Sequence, residues 1–122
     1  MSLSNTVENE MLLDFVIRHP VLWLALSITD PSDDGSTIDE PSTGGYVRML
    51  VGDVTITGNE LTNDVLITFP TSTADWGTIN YGALFDDELA GVFLGSGVIT
   101  ATPAPAYTSI SIPAGTVLLT MD

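Results

Sequence analysis

The residues best suited to chemistry in this chain are acids. Asp30-Pro31-Ser32-Asp33-Asp34-Gly35 places carboxylates and a glycine close together. A helix–loop–helix calcium loop needs oxygen ligands at alternate positions, a glycine at the sixth and a glutamate at the twelfth. Asp30, Asp34 and Gly35 fall on that pattern and Ser32 can stand third, but the twelfth place is Pro41. The stretch therefore reads as a solvated acidic loop, with a weak cation site as the alternative. The turn Asp86-Asp87-Glu88 carries the same two readings. His19 is the sole histidine, and no serine lies in a Gly-x-Ser-x-Gly elbow; Gly95-Ser96-Gly97 is only a triplet of small residues. Serine hydrolysis needs a serine, a histidine and an orienting carboxylate, so no such set is expected. With one histidine and no cysteine a zinc site is not expected either. Two carboxylates can hydrolyse glycosides, but among 16 acids any pairing can be imagined, so it carries no signal. The expectation is a protein with no catalytic residues, no metal and no cofactor.

Charge narrows the partners. The 122 residues hold 16 acids, two arginines (Arg18 and Arg48) and no lysine, a net charge of -14. Binding phosphates takes clustered cations, so nucleic acid is not an expected partner. A polybasic membrane anchor is not expected for the same reason. No apolar run reaches the roughly 18 residues of a membrane span. The N-terminus also lacks the basic flank of a signal peptide, so the chain reads as made in the cytoplasm. Unpaired acids repel one another at low salt, and molar salt screens them to within about 3 Å. A lysine-free acidic chain thus suits a halophilic setting, the alternative being an ordinary acidic protein.

The elements that would carry these residues begin with a helix over 5–19. Asn5 is the expected cap, with Glu8 completing a capping box. Val7, Met11, Leu12, Phe15 and Val16 form an apolar stripe at helical spacing, and Pro20 ends it. The region 21–122 then reads as β-structure. Val21 to Thr29 is apolar on both faces and predicts a central strand with Trp23 in the core. A long polar loop follows from Asp30 to Gly45, of the kind that often works at a surface. Strands are expected over 46–51, 53–57, 65–69, 78–85 (with a bulge at Gly82), 92–100, 107–112 and 116–121. About 7–8 short strands with regularly spaced turns predict an antiparallel β-sandwich in a single domain, 1–122. Trp76, in a polar loop, reads either as an interface anchor or as a plug closing one end of the sandwich.

Several blocks resemble a known family. Leu22-Trp23-Leu24-Ala25-Leu26-Ser27-Ile28-Thr29-Asp30-Pro31-Ser32-Asp33 is similar to the opening of a family of small tailed-virus virion proteins, described as tail-fibre-like or head-decoration proteins. Gly44-Gly45-Tyr46-Val47-Arg48 looks like that family's Gly-Gly-Tyr-Ala-Arg. Phe69-Pro70-Thr71-Ser72-Thr73-Ala74-Asp75-Trp76-Gly77-Thr78-Ile79 resembles its Phe-Pro-x-Ala-Thr-Ala-Asp-Trp-Gly-Thr-Val, and Ala83-Leu84-Phe85-Asp86 its Gly-Ile-Phe-Asp. The departures, an expanded acidic loop over 33–40 and the missing lysines, suggest a virus of a halophilic host.

The resemblance implies a non-enzymatic virion structural protein with a β-rich fold. Its size favours a capsid decoration or cement protein. The alternatives are a tail-fibre or baseplate component involved in host attachment, and a carbohydrate-binding module with Tyr46, Trp76, Tyr81 and Tyr107 as its aromatic candidates. Expected partners are other virion proteins, either the major capsid protein or tail proteins, and further copies of the chain in a homo-oligomer such as a trimer. Met11, Phe15, Tyr46 and Trp76 are the candidate interface residues.

Overall fold

A computed structural model describes residues 3–120. It is mainly β with antiparallel sheets and one N-terminal helix. The helix α1 spans Asn5–Arg18. Its cap is Ser4, one residue before the expected Asn5: the Ser4 side chain accepts from the Val7 N–H at 3.2 Å. Position three of the helix is therefore Val7, and Glu8 completes no capping box. The buried line also differs from the expected stripe. Glu8 and Leu12 are buried and Phe15 packs on the core, whereas Val7 and Met11 are exposed.

Among the described residues nine strands follow, against the 7–8 expected: β1 Trp23–Ser27, β2 Met49–Leu50, β3 Val54–Thr57, β4 Glu60–Asn63, β5 Ile67–Thr68, β6 Thr78–Phe85, β7 Phe93–Pro103, β8 Ser111–Ile112 and β9 Val117–Thr120. They form a four-stranded sheet in the order β2-β1-β6-β7, a three-stranded sheet β3-β4-β9 and a pair β5-β8. The three sheets enclose one main cluster that includes Leu24, Leu26, Phe69, Ile79, Leu84 and Ile112.

β1 is central, as its continuous apolar run predicts. Alternate residues of a strand face opposite sides. Leu24 and Leu26 enter the main cluster, while Ala25 turns to a second one with Ala83 and Phe85, on which Ile38 and Phe93 pack. Trp23 is only half-buried, contrary to its expected core placement. The bulge expected at Gly82 is absent: Gly82 pairs regularly with Gly97, and the register shifts instead between Ile79 and Tyr81 and between Leu84 and Phe85. Gly82 is small because a Cβ there would lie 3.1 Å from Ile99 and 3.4 Å from Leu24. No helix among the described residues is long and apolar enough to cross a membrane.

Candidate interface

The loop after β1 is polar but fastened. Ser27 Oγ accepts from the Asp39 N–H and donates to the Thr29 carbonyl, while the Ile28 N–H bonds the Asp39 carbonyl. The Thr37 hydroxyl donates to the Asp30 carbonyl at 2.6 Å. Asp30 and Asp34 use their carboxylates locally, accepting from the Ser32 and Ser36 N–H groups. The bonds from Ser36 hold the Asp34 carboxyl below its ordinary range. The acids thus shape turns, and the described residues contain no group of three or more acidic, histidine or cysteine side chains arranged to hold a metal. Gly35 has φ +75°, and a Cβ there would lie 2.7 Å from the Phe93 ring, so the loop closes directly onto β7.

At the loop's end lies a half-buried polar cluster. Glu40 receives Arg48 through two bonds, Nη2 to Oε1 at 2.7 Å and Nε to Oε2 at 3.1 Å. The remaining Arg48 nitrogen, Nη1, donates to the Asp87 and Ala90 carbonyls at 3.1 and 2.6 Å. The guanidinium carbon sits 3.6 Å from the Phe85 ring centroid, a cation–π placement. The Tyr46 hydroxyl donates to Glu40 Oε2 at 2.7 Å and accepts from the Leu26 N–H at 3.0 Å. Burial first, and the Glu40 carboxylate second, push the Tyr46 phenol well above its ordinary value. One cation therefore joins the acidic loop, the central sheet and the turn between β6 and β7. A crevice of about 330 Å³ beside it is lined by Glu40, Arg48, Glu88 and Leu89.

Tyr46 and Trp76 do come together, but inside the molecule. Their rings meet edge to face at 5.5 Å, and Tyr46 stacks on Phe69 at 6.4 Å. Trp76 is 3% exposed, and its indole N–H donates to the Gly44 carbonyl at 3.2 Å. Gly44 has φ +72°, and a Cβ there would lie 2.8 Å from that indole nitrogen. The Gly-Gly-Tyr-x-Arg and Asp-Trp-Gly blocks are thus two halves of one internal joint. Trp76 behaves as the plug and offers no surface to a partner. With Trp76 buried, the aromatic candidates for a carbohydrate module are reduced to half-buried Tyr46 and Tyr81 and exposed Tyr107. Of the helix candidates, Phe15 packs on the core and tilts against His19 at 5.1 Å, while Met11 stays exposed.

The opposite edge is built differently. β7 ends the four-stranded sheet and β9 ends the three-stranded one. The two edges touch where a Cβ at Gly95 would lie 2.8 Å from Leu119. The groove between them has a volume of about 350 Å³; its floor is Leu24 and Leu84 and its walls include Val98, Ile99, Val117 and Leu118. Val98 stands at the rim, 82% exposed. This edge was missed by reading residues for chemistry, because its signal is an absence. From Leu89 to Met121 the chain carries no charged residue, so every acid except Asp122 lies before it.

A family model described as Gp80, podophage GP4 fiber I protein gp80, matches residues 2–120. No curated protein matches the chain.

Proposed function

The chain belongs to the podophage GP4 fiber I protein gp80 family, and from that premise we propose that it is a non-enzymatic structural protein of a tailed-virus particle, built into a tail fibre. The match from residue 2 to residue 120 carries this reading, since it takes in every element of the fold. It also redirects the preference for capsid decoration, which rested on size alone. A compact chain of 122 residues has a radius of gyration of about 14 Å; it serves as one segment or one protomer of a fibre and leaves the length to other copies or other proteins.

The architecture supports a role in assembly. The exposed loop is fastened by internal hydrogen bonds, and Arg48 is spent on holding the fold together. Arg18 lies beside Asp14 at 2.9 Å on the same helix. Arg48 is thus engaged inside the molecule and only exposed Arg18 remains at the surface of the described residues, so contacts with other virion proteins fall mainly to apolar and backbone groups.

Labelling intact particles with an antibody to this chain, followed by cryo-electron microscopy, tests the reading. Label at the tail, with a copy number far below that of the major capsid protein, is the expected result. Label spread over the shell in numbers comparable to the capsid protein overturns it in favour of decoration.

A further inference from the structure

We infer that the groove between β7 and β9 is where a second copy of this chain docks, uncharged face against uncharged face. Three observations meet there. First, the groove is flanked by the terminal strands of two sheets, and an outer strand edge presents unpaired N–H and C=O groups that template pairing with another strand. Natural edges are usually blunted by lysine or other charges; β7 from Phe93 to Thr102 carries none. Second, the groove has an apolar floor, and Val98 projects at its rim where a partner's side chains would meet it.

Third, charge selects the occupant. A cationic partner would be drawn to the region before residue 89, where fifteen of the acids lie. A second copy meets the opposite problem, because its net charge is also -14 and like charges brought together are destabilising. Helix α1 offers exposed Leu13 and Ile17, but Glu10 and Asp14 lie among them. None of the residues lining the groove is charged, so two such chains can touch there without setting acid against acid. The long-range repulsion between their acidic bodies remains, and salt screens it, so the association should tighten as ionic strength rises.

The test uses the full chain in solution, with mass measured by light scattering and sedimentation across a dilution series at about 0.1 M and about 1 M NaCl. The expected wild-type result is a mass of at least twice the 12.9 kDa monomer, persisting to lower concentration at the higher salt. Val98→Asp and Thr100→Asp, both at exposed positions on this face, should each give monomers at both salts while keeping the wild-type circular dichroism spectrum. Ile17→Asp, on the exposed side of α1, should leave the mass unchanged. The inference is overturned if the wild type is monomeric throughout, if both face variants keep the oligomer, or if Ile17→Asp dissociates it. A monomeric wild type whose Val98→Asp variant no longer enters particles would assign the groove to a different virion protein and equally overturn it.

Discussion

The two ends of the central sheet handle polar groups in opposite ways. Around Arg48, the molecule gathers a carboxylate, a guanidinium, a phenol and two carbonyls and matches each donor to an acceptor. Along β7 and β9 it places no charge and leaves the strand edges open. The part-buried Glu40 carboxylate is paired, and that pairing takes up one of the chain's two arginines. What remains for contact with other chains is the region that never carried charge. On the proposed docking the tethered end serves stability and the open edge association, and variants at each should separate the two.

The largest effect is expected from Arg48→Ala. It leaves the Glu40 carboxylate, whose side chain is 19% exposed, without its partner, and breaking a buried pair in this way costs about 3–5 kcal/mol. Urea denaturation should show the loss. Arg48→Lys should recover only part of it, because an ammonium lacks the planar fork that reaches Glu40 and the two carbonyls together. A loss under about 1 kcal/mol, typical of an exposed pair, would break the comparison by making the Arg48 end an ordinary surface.

Tyr46→Phe comes next. It removes the acceptor of the Leu26 N–H and one donor to Glu40, at a cost of about 1–3 kcal/mol. It also changes the response to alkali. The folded-state phenol titrates above its ordinary value of 10.0, so above that pH the folded chain keeps a proton that the unfolded chain releases. Stability from this group is full below about pH 10 and falls as pH rises beyond it. The phenylalanine variant should lack that part of the alkaline decline, and denaturation midpoints between about pH 8 and 11 would show whether the slope changes.

How much of this could be read from residues alone depends on where each signal lived. The helix, β1 and β6 were legible because long apolar patterns are set locally, and their ends fall within a residue or two of expectation. β4 was not: Glu60-Leu61-Thr62-Asn63 follows a turn, is only four residues long and gains its place by pairing with β3 and β9. Trp76 reads from the residues either as an interface anchor or as an internal plug, and only its 3% exposure decides for the inside. An aromatic in a polar segment reads as exposed until its hydroxyl or indole is seen to reach a backbone partner across the fold. Arg48 gave a signal that went unused, since one of only two cations in the chain is a ready partner for a part-buried carboxylate. The uncharged edge could have been found by plotting charge along the chain, which shows 33 consecutive residues without any.

At the open edge, Val98→Ala should hardly matter to the isolated fold. The side chain is 82% exposed and lies outside the core clusters, and substitutions at such positions usually fall within about 0.5 kcal/mol. The measurement belongs in dilute solution, where association does not contribute. A larger loss would show that the groove is held shut by its own rim and would weaken the division between a tethered end and an open one.

Salt gives the finest separation. Between about 0.1 and 1 M the screening length falls from about 10 to 3 Å. Repulsion among the exposed acids should fade, so the melting temperature of the wild type should rise across that range. The Glu40–Arg48 pair stands differently: its side chains are 19% and 10% exposed and its atoms are in direct contact at 2.7 Å, shorter than any screening length in the series. Mobile ions act between exposed charges and much less between buried ones. The stability difference between wild type and Arg48→Ala should therefore stay nearly constant while both proteins become more stable. If that difference shrinks in step with the rising melting temperature, Arg48 acts by relieving general repulsion instead of by local pairing. If the wild type fails to gain stability at all, the acidic composition is no adaptation to salt, and the halophilic setting loses its physical basis.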